Sequence, residues 1–114
     1  MEDEIAVTEI LALAPNGDRH AVRLSIRRPS ETVQGSWSCK IGGHPLVVCS
    51  PRDGLHGVDS FQALAIALAF IRGQLDDFIG SGGRLLDPNH PEADVDIDAM
   101  FGSLGRSNSP RNRP

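Results

Sequence analysis

The sequence contains no tyrosine, a single tryptophan and only two cysteines among its 114 residues. The absence of tyrosine argues against a recognition surface built on Tyr side chains. Two cysteines, Cys39 and Cys49, cannot form the disulfide framework of a small secreted protein, which indicates reduced thiols and a cytoplasmic location. We expect no signal peptide, because the chain starts Met-Glu-Asp-Glu, with no basic region and no long apolar region after it.

Long apolar runs are also missing. The longest run covers residues 63–71, which is far short of the roughly 20 residues that a membrane-spanning helix needs. The sequence therefore predicts no membrane span.

Positive charge is scarce and unevenly distributed. The net charge is −4, but residues 1–105 hold eight Lys and Arg against all fifteen Asp and Glu, a balance of −7. The remaining three arginines lie in residues 106–114, which we interpret as a disordered tail rich in Arg, Ser and Pro. Because phosphate binding needs a clustered basic surface, the acidic body predicts no nucleic-acid partner.

Alternating apolar and polar residues predict four strands in the first half of the chain. The first strand covers residues 5–13, and turn residues at 15–18 join it to a second strand at 22–26. A third strand at 37–41 and a fourth at 46–49 form a second hairpin. Two successive hairpins predict an antiparallel meander.

One long helix is predicted over residues 59–79. Asp59 is the expected N-cap, with Gln62 at the reciprocal position of a capping box, and glycines at positions 80, 82 and 83 end the helix. A seam of apolar residues spaced three and four apart is predicted to face the sheet. The seam consists of Phe61, Leu64, Leu68, Ile71, Leu75 and Phe78.

The same helix has a second apolar face. At about 100° per residue, Ile66 and Phe70 fall nearly opposite the seam. Together with the small residues Ala63, Ala67 and Gly73, they are the predicted partner-binding face.

The sequence allows two ways of covering this second face. In the first, an apolar cluster near the end of the chain folds back over it, and this cluster is formed by Met100, Phe101 and Leu104. In the second, another molecule lays its own helix there. We expect the second cover, because the first requires an acidic, proline-containing linker to be ordered.

These elements predict an α+β fold, in which an antiparallel four- to five-stranded meander packs against one long C-terminal helix. Residues 84–86 are the candidate fifth strand, at an edge of the sheet. We expect a single compact domain over residues 1–87, an acidic linker with a small apolar cluster over 88–105, and the disordered tail at 106–114.

Three motifs resemble a family of small uncharacterised bacterial proteins, a domain of unknown function. They are Trp37-x-Cys39 in the predicted second hairpin, the helix start Gly57-x-Asp59-Ser60-x-Gln62-Ala63-Leu64, and Gly82-Gly83-Arg84-Leu85-Leu86. The likeness covers roughly residues 5–87. It implies one compact domain in a bacterial cytoplasm, and it transfers no active site.

Four residues of zinc-binding types occur close together in the sequence, namely Cys39, His44, Cys49 and His56. On an extended hairpin at about 3.3 Å per residue, His44 would lie on the order of 15 Å from Cys39. Zinc ligands must reach the metal at about 2.0 to 2.3 Å. The sequence therefore predicts no metal site and no cofactor.

Cys49 and His56 are also the best candidates for a nucleophile and its base, with Asp53 or Asp59 orienting the imidazole. Nothing in the sequence fixes that geometry, and Asp59 is better used as a helix cap. No catalytic residue is assigned, and a Cys/His hydrolase-like enzyme remains an alternative.

The sequence thus predicts a non-catalytic protein-binding module. Symmetric homodimers are the commonest soluble assemblies, so self-association through the helix face is the first version. In the second version, the helix face masks a different protein. A small acidic protein of the immunity or inhibitor type is an alternative. No small-molecule substrate is indicated.

Overall fold

The structure, a computed structural model, describes residues 3–47 and 54–102. It is α+β, as predicted, but its strands form two antiparallel sheets. In chain order the elements are β1 (Glu4–Leu13), β2 (Arg19–Arg27), β3 (Ser30–Glu31), β4 (Trp37–Cys39), β5 (Ile41–Gly42), β6 (Leu55–Gly57), α1 (Ser60–Gly80), β7 (Arg84–Asp87), β8 (His90–Asp94) and α2 (Ile97–Phe101).

The main sheet is built on the predicted first hairpin. β1 and β2 pair from Glu4 opposite Arg27 to Leu13 opposite Arg19, with a β-bulge between Glu4 and Ala6 that leaves Ile5 out of the register. Gly17 at the turn has a φ of +96°, a conformation that L side chains rarely adopt. The sheet has the order β5-β2-β1-β7-β8, so the meander is interrupted on both sides of this hairpin.

The predicted second hairpin does not form in the described part of the chain. β4 leaves the main sheet and instead pairs with β3 and β6 in a small sheet of order β3-β4-β6. Leu46 lies in a turn, and Val47 is buried outside any strand. Val47 packs into the core from a loop. Its apolar character therefore indicated a core residue and not a strand. The rest of the predicted fourth strand, residues 48–49, lies outside the described residues.

The helix α1 begins as predicted, and its buried face partly coincides with the predicted seam. Ile71 and Leu75 are buried, and Leu64, Leu68 and Phe78 pack against the core while partly buried. The buried apolar stripe of α1 recurs every four residues, and it consists of Ala63, Ala67, Ile71 and Leu75. Phe61, the first residue of the predicted seam, is 79% exposed. The stripe packs on the core residues of the two long strands and β7, including Ile10, Val22, Leu24 and Leu85.

α1 is not the C-terminal element that the sequence predicted. β7 follows it and lies between β1 and β8 rather than at a sheet edge. The described part of the predicted acidic linker holds β8 and α2. The predicted tail, residues 106–114, lies outside the described residues. Among the described residues, no helix is long and apolar enough to cross a membrane.

Candidate interaction surface

The predicted partner-binding residues of α1 do not form one surface. Ala63 and Ala67 are fully buried within the chain, whereas Ile66 is 38% exposed and Phe70 and Gly73 are half-buried. Small residues at a helix face allow close approach of any neighbour, and here the neighbour of Ala63 belongs to the same chain.

β6 is that neighbour. A Cβ atom added to Gly57 would lie 2.5 Å from the backbone nitrogen of Ala63. The two backbones can meet only because Gly57 has no side chain. The small residues at the start of α1 therefore serve contact with the small sheet.

The apolar cluster near the end of the chain does fold back onto α1, but on the other side of the helix. Met100 and Phe101 line a groove together with Leu68 and Ile71, and Ile66 remains partly exposed. Leu104, the third member of the cluster, lies outside the described residues.

The candidate Cys/His pair lies only partly within the described residues. His56 is exposed in β6, opposite Ser38 of β4, and the carboxylate of Asp59 accepts a hydrogen bond from the backbone N–H of Gln62 at 2.8 Å. Cys49 and Asp53 lie outside the described residues, so the pair itself stays untested.

Cys39 is a buried free thiol. Its Sγ donates to the backbone carbonyl of Arg27 at 3.4 Å. Burial raises the pKa of Cys39, so the reactive thiolate is suppressed near neutral pH. Over residues 3–47 and 54–102, no group of three or more His, Cys, Asp or Glu residues is placed to hold a metal ion.

The strongest candidate site is the outer edge of β1. β7 pairs with β1 only at Leu11, Ala12 and Leu13. Alongside Glu4 to Glu9, no strand of the described chain pairs with the side of β1 that faces away from β2, and the turn after β7 lies near the end of this stretch at Glu9. We call this stretch the open edge.

Two hydrogen bonds establish which backbone groups face the open edge. The N–H of Ala14 donates to the carbonyl of Asp18 at 2.8 Å, next to the β1–β2 ladder. Since alternate residues of an antiparallel strand direct both backbone groups to the same side, the even residues of β1 bond to β2. On β7, the carbonyl of Leu85 accepts from the N–H of Val95 at 2.7 Å, so the backbone groups of Leu85 face away from β1. The backbone groups of Leu86 and Arg84 therefore face β1 and bond with its odd residues.

The open edge therefore presents the N–H and C=O groups of Val7 and Glu9. Its side chains are accessible too, since residues 5–9 are all exposed. Ile5 and Val7 are 49% and 51% exposed. Unpaired backbone groups with exposed apolar side chains are the features of a strand that accepts another strand.

An apolar groove lies on the core side of the β1–β2 hairpin, and three of its lining residues belong to the open edge. It has a volume of about 280 Å³. Its walls come from β1, β2, α1 and α2, and the lining residues are Ala6, Val7, Thr8, Leu24, Ser25, Ile26, Leu68, Ile71, Met100 and Phe101.

A buried arginine on α1 holds α2 at this groove. The guanidinium of Arg72, whose side chain is 6% exposed, donates to Asp98 at 2.6 Å and to the carbonyl of Gly102 at 2.9 Å. The carbon at its centre lies 6.0 Å from the centre of the Phe101 ring. The hydrogen bond with Asp98 raises the pKa of Arg72. We call this set of contacts the Arg72 clamp.

A second exposed apolar patch lies where α1 begins. Val33 is 99% exposed, and Val58 and Phe61 are also largely exposed. A shallow depression nearby is lined by the turn after Val33 and by residues at the start of the helix. Val33 lies in a segment that the sequence indicated only as a loop.

Sequence reasoning found the strand that carries the open edge but not the edge itself. Hydropathy along residues 5–13 predicts a strand but not its buried face. The odd positions are the more apolar, yet Ile5 and Val7 are about half exposed and the even residues Ile10 and Ala12 are buried. Which neighbour pairs with each edge depends on where β7 turns away, near Pro88.

Neither a known protein family, nor a curated protein, nor a solved structure matches this chain. The resemblance to a small bacterial family remains a prediction, and the functional argument rests on the geometry above.

Proposed function

We propose that this protein is a non-catalytic protein-binding module, and that it binds an extended segment of a partner along the open edge of β1. The observation that carries the proposal is the coincidence of unpaired backbone groups with an adjacent apolar groove. In β-strand addition, main-chain hydrogen bonds provide affinity and pockets for alternate side chains provide specificity.

The other two edges of the main sheet support this assignment by contrast. β8 is an exposed edge protected by Pro91, Glu92 and Asp94, and β5 is only two residues long. Proline, charged residues and short length are the usual protections against unwanted strand pairing. The open edge has neither proline nor Lys, its Glu4 is bound by Arg23 at 2.8 Å, and its β-bulge is confined to the end between Glu4 and Ala6.

The groove defines the chemistry of the bound segment. An added strand would direct alternate side chains to the core side of the sheet, towards Leu68, Met100 and Phe101. These residues are apolar, so we expect apolar side chains at every second position of the segment.

The acidic inhibitor alternative receives less support. Two acids of the C-terminal segment are engaged within the chain, Asp94 by Arg84 at 2.9 Å and Asp98 by Arg72. A masking surface for a basic partner would present these carboxylates free. A bacterial cytoplasmic setting is part of the proposal, and the free thiol of Cys39 agrees with a reducing compartment.

A displayed library of random decapeptides tests the proposal. The protein is panned against the library, and enriched peptides are measured on Val7→Pro and on Val7→Thr. Proline removes the N–H that points to the open edge and leaves the ladder to β2 intact, whereas threonine keeps both the N–H and β-branching.

We expect enriched peptides with alternating apolar residues that bind the wild type and Val7→Thr but not Val7→Pro. Circular dichroism and thermal melting check that both variants fold. Peptides that bind Val7→Pro as well as the wild type would place the binding surface elsewhere and overturn the assignment to β1.

A further inference from the structure

We infer that α2 is a displaceable lid, and that the part of α1 beneath it binds a short segment of a partner protein in place of α2. This part of α1 consists of Leu68, Ile71 and the guanidinium of Arg72, and we call it the lid surface. The partner segment carries an acidic residue flanked by apolar residues. Its binding needs none of the backbone groups of the open edge, so the inference goes beyond strand addition.

The helix that covers the lid surface shows which chemistry this surface accepts. Ile97 is buried, and Met100 and Phe101 are partly buried against the core. Asp98 lies between these apolar residues in the sequence, and its carboxylate accepts from Arg72 at 2.6 Å. A segment that replaces α2 therefore needs the same combination of a carboxylate and apolar side chains.

Charge complementarity selects the acidic residue of the segment. The side chain of Arg72 is only 6% exposed, and the groove beside it is lined by apolar side chains such as Leu68 and Ile71. Hydrogen bonds between a guanidinium and a carboxylate are among the strong ones in proteins. A purely apolar segment would bury the same surface but would lose the bond that Asp98 now makes.

Three features allow α2 to leave while α1 stays folded. α2 has only five residues, and isolated helices of this length are not stable in water, so its conformation depends on docking. Asp76, on α1 itself, accepts from Arg72 at 3.4 Å, so the guanidinium keeps a counter-ion when Asp98 moves away. The N–H of Val95 donates to the carbonyl of Leu85 at 2.7 Å, which holds the preceding segment on β7.

α2 competes with a partner segment because it belongs to the same chain. A tethered segment acts at an effective concentration on the order of millimolar. The apparent affinity for a partner is reduced to the fraction of molecules in which α2 is displaced. Weakening α2 without altering α1 should therefore increase the affinity for a partner segment.

A labelled synthetic peptide with the sequence of residues 94–102 tests the lid surface. Fluorescence polarisation measures its binding to the full chain and to the double variant Met100→Ser with Phe101→Ser, which weakens α2 and leaves α1 unchanged. We expect the double variant to bind the peptide about tenfold more tightly than the wild type does. A control peptide carrying Asp98→Asn should bind the double variant about tenfold more weakly.

Hydrogen exchange on the unaltered chain provides a second measurement, which does not depend on the folding of a variant. The N–H of Met100 donates to the carbonyl of Asp96 within α2 at 3.0 Å, whereas the N–H of Val95 donates to β7. A large excess of the peptide should accelerate exchange at Met100 and leave exchange at Val95 unchanged.

The outcomes separate this inference from the proposed function. Peptide binding to the double variant that persists after addition of Val7→Pro supports the lid surface, whereas binding that Val7→Pro abolishes belongs to the open edge and overturns the lid. Equal binding of the two peptides also overturns it. If the double variant does not fold, exchange at Met100 that excess peptide leaves unchanged overturns the inference.

Discussion

Arg72 shows how one side chain positions an apolar surface. Its clamp joins α1 to α2 and thereby fixes Met100 and Phe101 at the groove. Nothing in the helix pattern identified this residue, because an arginine between apolar residues usually belongs to the solvent face. Its acceptors, Asp98 and the carbonyl of Gly102, are 26 and 30 residues away along the chain.

We expect Arg72→Met to release α2 while keeping the length of the apolar stem. The melting temperature should fall, and binding of a fluorescent apolar dye should rise as Met100 and Phe101 become accessible. Arg84→Met is the matched control, because Arg84 is a half-exposed partner of Asp94, and exposed pairs contribute little to stability. Equal effects of the two variants would contradict the clamp.

Asp59 is a residue whose role the sequence predicted. It caps α1 by accepting from the N–H of Gln62, while the side chain of Gln62 accepts from the N–H of Val58 at 2.7 Å. This reciprocal pair resembles a capping box, except that Gln62 accepts from the N–H of Val58 instead of the N–H of the N-cap residue Asp59. The prediction succeeded because every group involved lies within five consecutive residues.

Substitutions at Asp59 should reflect capping alone. Asp59→Asn should leave the free energy of unfolding almost unchanged, and Asp59→Ala should lower it by about 0.5 to 2 kcal/mol. Urea titrations of both variants provide the measurement. A large loss of stability in Asp59→Asn would show that the negative charge, rather than the hydrogen bond, is what the position requires.

At the scale of elements, Gly57 and Gly73 differ in how closely other atoms approach them. Gly57 lies against the backbone of Ala63, whereas a Cβ added to Gly73 would meet nothing within 4 Å outside its own helix. Gly57→Ala should therefore destabilise the fold by about 1 to 3 kcal/mol, the cost of overpacking. Gly73→Ala should stabilise it by up to about 1 kcal/mol, through helix propensity.

This pair of variants also tests the predicted helix interface. If Gly73 lies against a second molecule, the added methyl group should weaken association measured by sedimentation, although the fold itself gains stability. Association that is unchanged in Gly73→Ala would remove Gly73 from the partner surface.

The elements that the sequence predicted well are those whose signals are local. The β1–β2 hairpin and α1 follow from periodicity and from capping or turn residues within the segment itself. β3, β4, β5 and β6 have only two or three residues each, too few for a period to be visible. Their pairing depends on contacts between distant segments, such as Trp37 with Gly57.

At the scale of the whole molecule, the sequence indicated an apolar surface but not what covers it. Periodicity showed two apolar sides of α1, and the structure covers Ala63 and Ala67 within the chain and leaves Ile66 partly exposed. The open edge arises from strand order, because β7 meets β1 only at its last three residues. Strand order is a property of the assembled sheet and leaves no local pattern in residues 5–13.

Hydrogen exchange measured amide by amide provides the most direct test of that strand order. The amides of Thr8 and Ile10 face β2, those of Leu11 and Leu13 face β7, and those of Val7 and Glu9 face the open edge. In dilute solution we expect rapid exchange at Val7 and Glu9 and slow exchange at the other four positions. Leu11 and Leu13 are the matched controls, because they share the strand and the alternation of Val7 and Glu9 but have a neighbouring strand.

Adding a peptide enriched in the panning should then slow exchange at Val7 and Glu9 selectively, because an added strand would supply their hydrogen-bond partners. Thr8 and Ile10 are already bonded and should change little. Val7→Pro should keep Glu9 in rapid exchange when the same peptide is present. If Val7 and Glu9 are protected even in dilute monomer, another part of the same chain covers the edge, and the surface would not be available to a partner.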